Sequence, residues 1–281
     1  MRLISFLKNG SQHVGKMINE TEALNVTPSR PGIASLKDLL ETDMLSELQN
    51  ITDGRDLEKI SDLDLLPVIP NPSKVICVGI NYVAHAAEAG RKVGDYPVIF
   101  QRYADTLVGH RQNLVCPIVS EEFDFEGELA VIIGKGGRHI RSEDAMDHVA
   151  GFSCFNDASV RDWQFHSHQY GMGKNFQNSG AVGPEMVTAD EIRDYRELEI
   201  ESFLNGEKMQ EGKLSQLAFD IPAIISYVSK AMAWRPGDVI ATGTPSGVGF
   251  KRKPPIFLKE GDVFDVSIPG VGRLSNPVVS E

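Results

Sequence analysis

Cysteine is scarce in this 281-residue chain, limited to Cys77, Cys116 and Cys154. The number is odd, each lies in an apolar setting, and no two stand at metal-ligand spacing. That excludes a disulfide framework and a thiolate zinc site. The three read as small buried hydrophobes of a reducing compartment. Long apolar runs are also missing. No stretch approaches the length of a transmembrane helix, and the run from Met1 to Leu7 is too short for a signal peptide. The expected location is cytoplasmic. Positive charge is in deficit, with 28 Lys and Arg against 39 Asp and Glu, a formal net charge of −11. Neither nucleic acid nor an anionic membrane is expected as a partner of so acidic a chain. An anionic substrate must then be met by a local cluster of Arg, Lys or metal. Repeats and low-complexity segments are absent as well.

What is present is a chain long enough for one large domain with a small companion. Arg2 to Leu7 and His13 to Ile18 read as strands around the turn Lys8-Asn9-Gly10-Ser11. Ser35 to Glu41 and Thr42 to Gln49 carry helical spacing. Pro70-Asn71-Pro72 resists regular structure. It sets a boundary between a small α+β domain over residues 1–69 and a main body over residues 70–281. The second part opens with the apolar strand Lys74 to Gly79, then a short helix over Asn81 to Ala89 and the strand Val98 to Phe100. Strands at Leu129–Ile133 and Phe152–Asn156 flank a helix from Ser142 to His148, with Ser142 as its N-cap. Asn205-Gly206 marks a hairpin between Leu198–Leu204 and Glu207–Gln210. Asp220 caps a helix from Ile221 to Met232, and the strands Val239–Ala241 and Val263–Ile268 follow. The fold class is α+β and β-rich, with a rolled or closed sheet.

Glu126 and Glu128 break the pattern most sharply. They stand in Phe123-Asp124-Phe125-Glu126-Gly127-Glu128-Leu129-Ala130-Val131-Ile132-Ile133, which otherwise reads as a buried strand. Residues two apart on a strand share a face, so two carboxylates lie side by side, followed there by Ala130 and Ile132. Buried together they repel, and each is costly to desolvate. Either the strand frays into water here, or a cation sits between them. Asp157, at the end of an apolar strand, adds a third carboxylate; alone it would be an ordinary strand-end turn residue. The three make a hard, all-oxygen donor set that suits Mg²⁺ or Mn²⁺ better than Zn²⁺.

Two further patterns carry chemistry. His85 and Glu88 lie at i and i+3, one face of a helix, where the carboxylate can orient the imidazole as a base. A solvated surface pair has the same spacing. The run Ala241-Thr242-Gly243-Thr244-Pro245-Ser246-Gly247-Val248-Gly249 offers backbone N–H groups and hydroxyls able to hold a carboxylate, or forms a plain tight turn. Gly134-Lys135-Gly136-Gly137 lacks phosphate-loop spacing and reads as a turn. His139, His148, His166 and His168 read as surface or lining residues.

These segments together resemble the fumarylacetoacetate hydrolase family in its acylpyruvate hydrolase branch. The resemblance spans about residues 70 to 281. It rests on Gly79-Ile80-Asn81-Tyr82-Val83-Ala84-His85-Ala86-Ala87-Glu88, Phe125-Glu126-Gly127-Glu128-Leu129, Asn156-Asp157-Ala158-Ser159-Val160-Arg161-Asp162-Trp163-Gln164, Gly173-Lys174-Asn175-Phe176 and the Thr242–Gly249 run, in that order. It implies a mixed β-sandwich roll with a small N-terminal domain, a homodimer, and one Mg²⁺ or Mn²⁺. It implies Glu126, Glu128 and Asp157 as metal ligands. His85 and Glu88 would be a water-activating pair on a lid, and Lys174 would stabilise negative charge beside the metal. Gln164 and Thr244 would contact substrate. Arg102 stands where the family often has lysine, and Gln177 where many members have aspartate.

The reaction so implied is hydrolysis of the C–C bond of a 2,4-dioxo acid to pyruvate and a carboxylic acid. A dicarboxylic acylpyruvate from aromatic catabolism, such as maleylpyruvate or fumarylpyruvate, is the first expectation. Arg102, Arg91 and Arg161 are the candidates to meet its distal carboxylate. The alternatives on the same metal site are oxaloacetate decarboxylation or tautomerisation, and cleavage of a diketo-deoxy sugar acid.

Overall fold

The computed structural model describes residues 1–29, 32–49, 51, 56–88 and 90–281. The fold is α+β and β-rich, as the alternation of short apolar runs and turn residues predicts. Among the described residues the largest sheet has 12 strands. Its centre is the strand Gly127–Ile133, antiparallel to Val149–Asn156 on one side and to Val239–Ala241 on the other. Every residue of Gly127–Ile133 is buried. Leu129, Val131 and Ile133 face one hydrophobic cluster, while Ala130 and Ile132 face the other. Burial on both faces explains why the segment reads as a continuous apolar run.

Val239–Ala241 pairs in parallel with Val75–Gly79, which pairs with the edge strand Val98–Arg102. On the far side, Val149–Asn156 pairs with Gly180–Thr188, which takes the N-terminal strand Arg2–Lys8 through Arg2↔Val187 and Leu3↔Met186. The N-terminal hairpin thereby extends the same sheet. A second sheet of five strands contains Glu199–Leu204 and Val263–Ile268. It packs over the centre, with the Phe125 and Phe264 rings stacked at 4.9 Å.

The turn residues act as their chemistry requires. Asn205 (φ 53°) and Gly206 (φ 85°) both take left-handed backbone, the geometry of a two-residue hairpin loop. Asp220 accepts the Ala223 N–H at 2.9 Å and caps the helix Ile221–Ala231. Ser35 caps Leu36–Glu41 in a reciprocal capping box with Asp38. Two helical expectations give way. Asp43 takes a φ of 55°, so the run after Thr42 recovers only as a 3-10 turn over Leu45–Leu48. Ser142–His148 is also 3-10, and Ser142 is not its cap. Arg141 precedes it, accepts the Asp144 N–H at its carbonyl, and pairs with the Asp144 carboxylate at 2.7 Å. The helix expected from Asn81 to Ala89 runs over Val83–Glu88; Ala89 lies outside the described residues. Among the described residues no helix is long and apolar enough to cross a membrane.

Candidate active site

The carboxylate cluster forms where two central strands begin and end. Gly127 is registered opposite Asn156, so Glu126 just before one strand meets Asp157 just after the other. The Asp157 N–H donates to the Glu126 carbonyl at 2.9 Å and ties the two ends. Glu128 projects to the same place. Carboxylate oxygens of Glu126, Glu128 and Asp157 lie within 4.8 Å of one another, and all three residues are buried.

Cations surround the cluster unevenly. Lys174 Nζ lies 2.7 Å from Glu126 and 2.6 Å from Asp157, and also donates to the Asp157 carbonyl at 3.0 Å. Burial works against that ammonium charge, but the Asp157 and Glu126 carboxylates outweigh it and hold its proton more firmly than water does. Arg161 pairs with Glu126 at 2.7 Å and with Asp124 at 2.8 Å. Burial alone would raise the Glu126 carboxyl; Lys174 and Arg161 pull it down to about 2. Glu128 has no such partner among the described residues; it accepts the Gly243 N–H at 2.7 Å. Burial, then the Asp157 and Glu126 charges, push its carboxyl well up. Four buried carboxylates, counting Asp124, thus face three buried cations, Arg102, Arg161 and Lys174. Glu128 is the one left uncompensated. An additional divalent cation among three hard oxygen donors answers that deficit, so the residues present fit one.

His85 Nδ1 lies 3.3 Å from Glu88 Oε2. Glu88 is fixed from the other side by the Gly247 N–H, at 3.1 and 3.2 Å to its two oxygens. The glycine-rich run therefore anchors the acid of the pair. Burial raises the Glu88 carboxyl, but the His85 and Gly247 hydrogen bonds outweigh it and hold it below its usual range. With Nδ1 on Glu88, Nε2 is the nitrogen free for proton transfer.

One cavity of about 210 Å³ gathers His85, Arg91, Glu126, Glu128, Asp157, Arg161, Gln164, Lys174 and Thr244. Their positions differ in what they leave available. Gln164 gives its carbonyl oxygen to Arg161 at 2.8 Å, so its amide N–H₂ is the free end. The Thr244 hydroxyl donates to the Gly127 carbonyl at 2.9 Å and accepts from Gln210 at 2.7 Å; a substrate carboxylate would have to share it. Arg102 stands apart from the expectation that it grips substrate. It is not among the cavity's lining residues, and its guanidinium is buried on Asp157 at 2.8 Å, the Ala158 carbonyl at 2.9 Å and Ser179 at 2.7 Å. It can orient Asp157 from behind, but a substrate would have to break those bonds to reach it. Glu88 lies behind His85, also off the lining. The histidines His139, His148, His166 and His168 do not line the cavity either.

Sequence reasoning passed over several contributors. Asp124 accepts the Gly249 N–H at 2.8 Å and the Phe250 N–H at 3.1 Å, as well as Arg161. It ties the turn carrying Phe250 and Lys251 to the cluster. Its signal was visible, a carboxylate flanked by Phe123 and Phe125 in an apolar strand. Asn81 donates to the carbonyls of Thr242 at 2.7 Å and Phe219 at 3.0 Å. It pins the turn ahead of Val83–Glu88, where Ile80 takes a φ of 58°. No sequence pattern announces that left-handed isoleucine, a costly conformation for a β-branched residue.

The model for the fumarylacetoacetate (FAA) hydrolase C-terminal region matches residues 74–279. This chain belongs to the fumarylacetoacetate hydrolase family. Oxaloacetate tautomerase fahd2, mitochondrial, of Xenopus laevis is 45% identical over 221 residues, 78% of this chain and 69% of that protein. The fumarylacetoacetate hydrolase from psychrophilic Exiguobacterium antarcticum superposes with a TM-score of 0.86 at 34% identity, covering 100% of both chains. The maleylpyruvate hydrolase from Sphingobium sp. SYK-6, solved in complex with manganese (II) ion and pyruvate, superposes with a TM-score of 0.84 at 29% identity, covering 100% of this chain and 99% of that one. The fold is that of the family, and the family is one of enzymes. The buried carboxylates, together with a manganese-bound relative, point to a divalent ion at this site.

Proposed function

We propose that the protein is a Mg²⁺- or Mn²⁺-dependent enzyme that acts on a 2-oxo acid through its enol, with keto–enol interconversion of oxaloacetate as the first reading. One observation carries it. The three carboxylates, the Lys174 ammonium and the His85 imidazole open onto a single cavity. Glu126, Glu128 and Asp157 would hold the ion. When bound, it supplies positive charge for the 2-oxo acid's carboxylate and for negative charge on its 2-oxo oxygen.

The chain's own residues do the rest. His85 Nε2 takes a proton from C3 of the keto form, and the C3–H electron pair moves into the C2–C3 double bond as the 2-oxo oxygen becomes an enolate. Glu88 steadies the imidazolium that results. Lys174 offsets the enolate charge, and protonation of that oxygen gives the enol. Substrate choice is supported by the 45% identity to an oxaloacetate tautomerase.

A second reading, hydrolysis of an acylpyruvate, is favoured by the likeness to a maleylpyruvate hydrolase. There the same nitrogen takes a proton from water. The hydroxide adds to the distal carbonyl, the C–C bond breaks, and its electron pair leaves as the enolate of pyruvate.

The two readings separate in one assay. Protein loaded with Mn²⁺ or Mg²⁺ is given oxaloacetate, maleylpyruvate and fumarylpyruvate, following enol absorbance and quantifying pyruvate. The first reading expects fast, EDTA-sensitive approach to the oxaloacetate keto–enol equilibrium without pyruvate, slowed about 100-fold or more in His85→Ala. Equimolar pyruvate from an acylpyruvate would replace it with the hydrolase. Pyruvate from oxaloacetate would replace both with a decarboxylase, and turnover of none of the three would sink the proposal.

A further inference from the structure

The cations of the cavity fall into two kinds. Arg161 and Lys174 are each bonded to two carboxylates at the cluster. Arg91 and Lys251 also line the cavity, yet neither has a carboxylate partner among the described residues. Arg91 donates to the Tyr170 hydroxyl and its guanidinium carbon lies 5.8 Å from that ring's centre. Lys251 Nζ lies 4.8 Å from the centre of the Phe250 ring. Both heads rest on aromatic groups in a chain with an excess of 11 negative charges.

They also come from separate, anchored elements. Arg91 follows Val83–Glu88, and its N–H donates to the Ala86 carbonyl at 2.8 Å, closing the helix that carries His85. Lys251 ends the 3-10 turn Gly249–Lys251, whose Gly249 and Phe250 N–H groups are held by Asp124. Two unneutralised cations in one cavity with an ion-binding cluster make a receptor for an anion with charge at both ends. Their neighbours leave that charge free, since an aromatic face and a phenol hydroxyl do not neutralise it.

We infer that Arg91 and Lys251 determine specificity by binding the distal carboxylate of a dicarboxylic 2-oxo acid whose other end is held at the carboxylate cluster. This rests on the 2-oxo acid reading above and names the half of the substrate it leaves open. Arg91 grips in the plane of its guanidinium, and Lys251 adds a point charge from the opposite element.

The test uses the full chain loaded with Mn²⁺. Calorimetric affinity is measured for oxalate, which carries only the proximal end, and steady-state KM for oxaloacetate. The variants are Arg91→Gln, Lys251→Gln, the double variant, and the charge-keeping Arg91→Lys. Each glutamine is expected to raise the oxaloacetate KM about tenfold, the loss of one charge-assisted hydrogen bond. The double variant is expected to raise it further, while Arg91→Lys recovers part of the loss. Oxalate affinity should stay within about twofold throughout, and KM should rise with salt more steeply in wild type and Arg91→Lys than in the glutamine variants. Equal losses for oxalate and oxaloacetate, or no loss for either, would overturn the distal-carboxylate role while leaving the 2-oxo acid reading intact. Wild-type protein that binds neither compound would instead remove that reading, and this inference with it.

Discussion

Lys174→Met is the perturbation that weighs the buried charges most directly. Methionine keeps most of the stem volume and removes only the ammonium. In the structure that ammonium bonds Glu126 at 2.7 Å and Asp157 at 2.6 Å, and both carboxylates are buried. Removing one partner of a buried pair costs about 3–5 kcal/mol, because the charge left behind stays desolvated. In a chain of this length each kcal/mol moves the melting temperature by about 2 °C, so the metal-free variant should melt roughly 6–10 °C lower. Added Mn²⁺ should narrow that difference, because an ion among Glu126, Glu128 and Asp157 supplies charge that the lysine no longer does. At a concentration 100 times its Kd, it stabilises wild type by about 2.7 kcal/mol and the variant by at least as much. Differential scanning fluorimetry of both proteins, in EDTA and across a Mn²⁺ titration, gives all four melting temperatures. A variant in EDTA within about 2 °C of wild type would refute the claim that Lys174 holds two buried charges. Melting temperatures of both proteins that do not rise with Mn²⁺ would refute the cluster as an ion site.

Two other substitutions test the surrounding frame. His110 accepts the Ser275 N–H at Nδ1, at 3.1 Å, so it must stay neutral; burial, then Arg111, lower its folded value to about 4 from 6.5. The unfolded chain takes up that proton first as pH falls, so stability present above pH 6.5 drains away toward pH 4. By pH 5 the loss is about 2 kcal/mol. Urea unfolding at pH 7.5 and 5 should show it in wild type and not in His110→Asn, whose amide oxygen can still accept; equal losses in both proteins would contradict the account. At Gly249 a Cβ would lie 1.9 Å from the Ile256 carbonyl oxygen and 2.5 Å from Asp124 Oδ1. Gly249→Ala should therefore push the turn off Asp124 and destabilise the protein by about 1–3 kcal/mol, with Lys251 displaced and the oxaloacetate KM raised. Unchanged urea midpoint and KM would show that the turn yields freely.

The sequence by itself determined the β-rich class, the central apolar strands, the Asn205-Gly206 hairpin and the Asp220 cap. These follow from local rules, side-chain period, left-handed turn residues and an acceptor for an orphan N–H, and local rules are legible in one dimension. It also marked Glu126 and Glu128, because two carboxylates in an apolar run conflict with their surroundings wherever the chain goes. Tertiary structure alone decided which charges neutralise which. Arg102 and Arg161 look alike as arginines near motifs, yet one lies behind Asp157 and the other in the cavity wall. The difference comes from pairings 55 and 37 residues apart in the chain. Arg91 and Lys251 meet in one cavity only because the helix after Val75–Gly79 and the turn held by Asp124 converge there. Spacing along the chain records neither distance nor desolvation, and the strength of a charge in a protein depends on both.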